Sequence, residues 1–90
     1  MRLDKYLKVS RIIKRRTVAN DACDGALVTV NGKPAKASYD VKIGDVISVK
    51  FGQRTLNVRV KEIKETVGKD SAGDLYEVLD WHIYVINSID

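Results

Sequence analysis

Cysteine, histidine and proline occur once each in this chain of 90 residues, and aromatic residues make up only 7% of it. A lone Cys23 cannot close an internal disulfide, and Cys23 with His82 falls short of the ligand set of a structural zinc site. Cys23 reads as a small buried apolar residue on a helix. His82 reads as a surface residue with no partner in sequence to make it a base. There is no long apolar run, so no membrane span is expected. The basic N-terminus lacks the apolar stretch of a secretory signal, and the chain reads as cytoplasmic. Tyr6 falls in a helical core pattern and Tyr39 stands alone, so no aromatic pair stands out for base stacking. No nucleophile–base pair, metal cluster or phosphate-cradling glycine loop can be recognised, and the isolated glycines read as turn residues. The expectation is a protein without catalytic residues, metal or cofactor.

What remains is an ordinary apolar content and an uneven distribution of charge. Apolar residues are 44% of the chain, enough for one modest core in a single small domain. The stretch "RLDKYLKVSRIIKRR" holds Arg2, Lys5, Lys8, Arg11, Lys14, Arg15 and Arg16 against the single acid Asp4. Residues 1–16 therefore carry a net charge of +6, and residues 17–90 a net of −2. Positive charge confined to one segment is the footprint expected of a protein that meets a polyanion. Lys33 and Lys36, around a hairpin, add to it.

The pattern is helical first and then extended. Leu3, Tyr6 and Leu7 recur at helical spacing and predict a helix over residues 2–9. Thr17 is a good N-cap for a second helix, with Asp21 near its positive end, an apolar stripe of Val18, Ala19, Ala22 and Cys23, and Gly25 to end it at C′. Lys14, Arg15 and Arg16 would then sit just before a helix N-terminus, where a phosphate could meet both the side chains and free N–H groups. Leu27–Val30 reads as a strand and Asn31-Gly32 as a two-residue hairpin turn. Pro34 marks the return strand as an edge. "VISVKF" and "RTLNVRV" read as an antiparallel pair, with Leu56, Val58 and Val60 facing the core. Residues 67–74 read as a mobile loop, residues 75–79 as a candidate last strand, and "DWHIYVINSID" has no fixed place. The fold class is α+β, two short helices followed by a small, mostly antiparallel sheet. An architecture of this size suits a binding module better than an enzyme.

The second helix is short and acidic and offers nothing to read base edges in DNA. Cations placed before it suit a grip on the backbone of structured RNA. DNA is not expected as a partner.

These residues resemble a known family. R-L-D-K-x-L at positions 2–7, K-R-R before the second helix, V-x-V-N-G-K at 28–33 and V-K-x-G-D at 41–45 look like an S4 RNA-binding domain. Among stand-alone S4 proteins the chain is similar to the heat shock protein 15 and RqcP group of bacterial ribosome-associated quality control, and most of all to the RqcP type. The resemblance implies an S4-like fold, with residues 1–66 as the S4 domain. Residues 67–90 would be a loop, a last strand and a tail, either part of the same domain or flexible. It implies binding to ribosomal RNA of the dissociated large subunit and to peptidyl-tRNA. It also implies a partner that delivers alanyl-tRNA for untemplated alanine tailing of stalled chains. By position, Arg2, Asp4, Lys5 and Arg16 match residues the family needs for RNA contact or function. Lys8, Arg11, Lys14, Arg15, Lys33 and Lys36 fit the same surface. Two alternatives stay open: a heat shock protein 15-like factor that recycles blocked large subunits, and a protein adaptor that docks through its sheet. The acidic C-terminal stretch, where those recycling relatives carry a basic extension, favours the tailing factor. An enzyme would need a further domain fused to this one.

Overall fold

A computed structural model describes residues 1–83, so the last part of "DWHIYVINSID", residues 84–90, and the side chain of His82 lie outside the described residues. Helix α1 spans Leu3–Val9 and α2 spans Arg16–Asp24. They are followed by strands β1 (Val28–Val30), β2 (Lys33–Pro34), β3 (Val46–Phe51) and β4 (Arg54–Val60), a 3₁₀ helix (Lys69–Leu75) and strand β5 (Tyr76–Ile83). The strands form one antiparallel sheet in the order β2-β1-β3-β4-β5.

The helical spacing in α1 does what the sequence predicts: Leu3, Tyr6 and Leu7 are fully buried and meet Val28, Ile47, Val49, Leu56, Val58 and Val60 from one sheet face. Each such side chain contributes about 1.5–3 kcal/mol on leaving water. The hairpin also stands as read. Asn31 and Gly32 both have positive φ, 53° and 86°, as the tight two-residue turn requires. Pro34 lies on the edge strand, where its missing N–H leaves no ladder bond unmade. Asp45 of the V-K-x-G-D stretch is a buried hub. It accepts bonds from Asn31 Nδ2 (3.1 Å), the Tyr39 hydroxyl (2.9 Å) and the Lys42 N–H (2.9 Å), and so ties the hairpin to the 37–45 loop.

Four expectations need correction. Helix α2 begins at Arg16, not after Thr17; Arg15 is the N-cap, and no side chain caps the first turn. Asp21 therefore lies in the middle of the helix, away from its positive end. Of the proposed apolar stripe only Ala19 and Cys23 are buried, one helical turn apart, while Val18 is 49% exposed. Gly25 is the C-cap with ordinary φ, and Ala26 takes the left-handed C′ position with φ 60°. The Leu27 N–H bonds the Ala22 carbonyl and the Ala26 N–H the Cys23 carbonyl, which is the full Schellman pattern.

The C-terminal part departs most. Residues 69–74, expected within a loop, and Leu75, expected to open the last strand, form the 3₁₀ helix, and Ala72 and Leu75 are buried. The Leu75 carbonyl explains this order. It accepts the buried Tyr6 hydroxyl (2.7 Å) and the N–H groups of Lys61 (2.9 Å) and Glu62 (3.1 Å), joining α1 to the end of β4. Leu75 thus closes the 3₁₀ helix, and the last strand starts at Tyr76 and runs beyond Leu79. A bulge interrupts β5: Val58 faces Val78 and Asn57 faces Asp80, so Leu79 is the extra residue.

Candidate RNA interface

The entry into α1 is fixed by backbone pairing. Arg2 bridges Asp40, the Leu3 N–H bonds the Tyr39 carbonyl (2.8 Å), and the Asp4 N–H bonds the Ala37 carbonyl (3.2 Å). This holds the first turn of α1 against the loop that follows the Lys33–Lys36 hairpin. Packing of α1 on α2 then brings Asp4 beside Arg16 and Asn20.

Asp4 is only 2% exposed, and four groups converge on its carboxylate. Arg2 donates to both oxygens from Nε and Nη2, each at 3.2 Å. Asn20 Nδ2 donates to Oδ2 (3.2 Å), and the Lys5 N–H donates to Oδ1 (2.8 Å). Arg16 Nε stands 3.5 Å from Oδ2. Burial alone would push this carboxyl up. The Arg2, Asn20 and Lys5 bonds and the Arg16 charge outweigh it and bring the Asp4 pKa down to about 2. The same bond raises the Arg2 pKa. Asp4 thus orients two arginines from opposite ends of the basic segment, each about half exposed, so that their remaining donors face outward at a set angle.

Lys5, Lys8, Arg11 and Arg16 line one groove of about 410 Å³, together with Val9, Glu65, Thr66 and Val67. Arg11 reaches it from a left-handed backbone conformation, φ 63°, in the turn that ends α1. The Lys5 ammonium is paired with Glu65 from the segment after β4. Arg2 and Lys36 share a second depression with Asn20, Cys23, Asp24, Ala37 and Ser38. Lys33 and Lys36 line a third around the hairpin. A track of cations therefore runs from Lys33 through Lys36, Arg2 and Arg16 to the groove. Lys14 and Arg15 are exposed on the α1–α2 connector and lie outside the lining of these depressions. Cys23 plays no reactive part: burial first, then the nearby Asp4 and Asp24 carboxylates, push its thiol up to about 11.

Three participants are not apparent in sequence. Glu65 and Asn20 meet Lys5 and Asp4 only through the fold, and nothing in local spacing announces them. The third is an aromatic pair, where the sequence offers none that stands out for base stacking. Phe51 and Trp81 pack with ring centroids 6.2 Å apart, and the Arg54 guanidinium lies 4.3 Å from the Trp81 ring centre. These residues come from three separate strand positions, and only the β3–β4–β5 register joins them.

The S4 domain model matches residues 1–47, more than half of the chain and the whole α1–α2–hairpin unit. The RQC P-site tRNA stabilizing factor of Bacillus subtilis is 52% identical over 79 residues, covering 88% of this chain and 92% of that protein. The chain belongs to the RQC P-site tRNA stabilizing factor family of S4-domain proteins. The family's member from Halalkalibacterium halodurans is 54% identical over 78 residues, covering 87% of this chain and 89% of that one. Among solved structures, trimeric heat shock protein 15 from Vibrio cholerae superposes with a TM-score of 0.81 at 33% identity, covering 87% of this chain and 80% of that one. The S4-like α+β fold is thus shared across the two groups. RNA binding in ribosome quality control is the role that the family carries. Among the described residues no helix is long and apolar enough to cross a membrane.

Proposed function

We propose that the chain is an RNA clamp acting on the dissociated large ribosomal subunit that still carries peptidyl-tRNA. Its basic track grips ribosomal RNA and the tRNA backbone together and holds the tRNA in a P-site-like position. With a factor that delivers alanyl-tRNA, it supports untemplated alanine tailing of the stalled chain in the cytoplasm. The protein contributes geometry and charge, and peptide-bond chemistry stays with the subunit. The observation that carries this reading is the buried Asp4 carboxylate, which orients Arg2 and Arg16 at one edge of a groove lined by Lys5, Lys8 and Arg11. A charge patch for solubility alone would not bury an acid to aim its cations. The names of the B. subtilis and H. halodurans relatives support a tRNA-stabilising role over subunit recycling.

Co-sedimentation with large subunits bearing peptidyl-tRNA tests it. Arg16→Ala should lower the co-migrating fraction at least about tenfold, as loss of a charge-assisted contact worth about 1.5–3 kcal/mol requires. Lys8→Ala, which removes from the same groove a cation with no ion pair among the described residues, should cost only a few-fold. Equal losses, or co-migration only with empty subunits, would refute the clamp.

A further inference from the structure

We infer that Phe51, Arg54 and Trp81 form a second RNA contact, a stacking site for an unpaired nucleotide. The three side chains share the sheet face that carries Leu56 and Val58, at the tip of the β3–β4 hairpin: Phe51 pairs with Arg54 and Leu56 with Trp81 across the ladder. That tip lies six residues along β4 from Val60, about 20 Å from the end where Tyr6 binds Leu75. The core does not use these rings. Trp81 is 46% exposed and Phe51 38% exposed, although both are large enough to drive burial. Their arrangement is already that of a base receptor. The Arg54 guanidinium carbon lies over the Trp81 ring, 4.3 Å from its centre, and Arg54 joins no ion pair among the described residues, so its N–H donors are not spent on a carboxylate there. A nucleobase packed against the exposed indole and Phe51 would place its own phosphate within reach of those donors. A protein partner would use the same aromatics, but an Arg54 with no acid partner among the described residues, in a chain of an RNA-binding family, favours a nucleotide.

This inference extends the RNA-binding reading and rests on it, yet the two can fail separately. Trp81 is the only tryptophan of the chain, so its emission reports on this site alone. The full-length protein is titrated at low salt with end-labelled hexauridylate and, in parallel, with a blunt RNA duplex, following anisotropy of the label and Trp81 emission. Hexauridylate should quench Trp81 saturably, and the duplex should bind with little quenching. Trp81→Ala should weaken hexauridylate binding by about 5- to 100-fold, Trp81→Phe by less, and neither should alter duplex binding. Arg16→Ala should impair the groove while leaving the quench in place. Unchanged Trp81 emission in a complex that anisotropy shows to have formed would overturn the stacking site and leave the groove standing. So would RNA affinity untouched by Trp81→Ala alongside loss of self-association in sedimentation, which would assign the aromatics to a second copy of the chain. Failure of every RNA to bind would overturn both.

Discussion

Asp4 carries the opposite charge to the two arginines it anchors, and its burial would be unfavourable without the donors that converge on it. That makes it testable by acid. Its pKa of about 2 lies below the ~3.9 of an unfolded aspartate, so the folded state binds fewer protons than the unfolded one in that interval. Its stabilising contribution is fully present above about pH 4 and is lost as pH falls toward 2. For a group this buried the difference corresponds to about 2–3 kcal/mol. Asp4→Asn should therefore unfold at lower denaturant at neutral pH, and it should show a flatter dependence of stability on pH between about 4 and 2. Asp45, whose pKa is also lowered by the Lys42, Tyr39 and Asn31 bonds against the effect of burial, adds to the slope in both proteins, as do the paired Asp40 and Glu65 carboxylates, whose pKa values are lowered too. An unchanged slope in urea titrations of the Asn variant would mean that Asp4 is not the anchored group described here. RNA binding should fall in the same variant even though the basic segment gains one unit of net positive charge, because Arg2 and Arg16 lose their common anchor.

Element boundaries decide which charges meet, and here the end of α2 offers a clean test. Ala26 holds a left-handed conformation that suits glycine, while Gly25 sits one residue early with φ −84°. Ala26→Gly should raise thermal stability by about 0.5–1 kcal/mol and leave RNA affinity unchanged, since the residue is not part of the groove lining. A destabilised variant would show that the Schellman bonds of Ala26 and Leu27 do not tolerate the extra backbone freedom. The same element shows what sequence can and cannot specify. Hydrophobic spacing located α1, the hairpin residues located the turn between β1 and β2, and alternation located the core face of β4, because each is a local periodicity. Helix α2 starts two residues earlier than Thr17 indicates, because Thr17 is the better cap by side-chain chemistry, yet packing of Ala19 and Cys23 fixes the helix phase. The 3₁₀ helix was hidden because its order comes from a carbonyl that Tyr6 reaches across 69 residues. Within the candidate site, the clustering of Arg2, Lys5 and Arg16 was legible as charge density and family motif. Their convergence on Asp4, and the pairing of Lys5 with Glu65, belong to the tertiary fold.

At the scale of the whole molecule, a net charge of +6 in residues 1–16 faces a remainder of net −2, and the groove is where the two meet. Glu65 is the acid that enters the basic surface, and its pairing with Lys5, which lowers the Glu65 pKa, occupies a cation that RNA would otherwise engage. Both partners are reachable by solvent, so the pair is weak and a phosphate can replace the carboxylate. If about four to six phosphates are neutralised on binding, affinity should fall by about two to three orders of magnitude between roughly 50 and 200 mM salt. Glu65→Gln should tighten RNA binding at low salt by about 1.5- to 5-fold, the range expected for an exposed ion pair. Should Lys5 gain a phosphate of its own in that variant, the slope of log affinity against log salt would also steepen, by somewhat less than one unit. Isothermal titrations of the parent and the Gln variant at several salt concentrations separate the two effects. Tighter binding with an unchanged slope would mean that Glu65 acts only as a nearby negative charge. No change in either would mean that Lys5 and Glu65 stay paired in the complex, and that the grip on RNA is carried by the other cations of the track and groove.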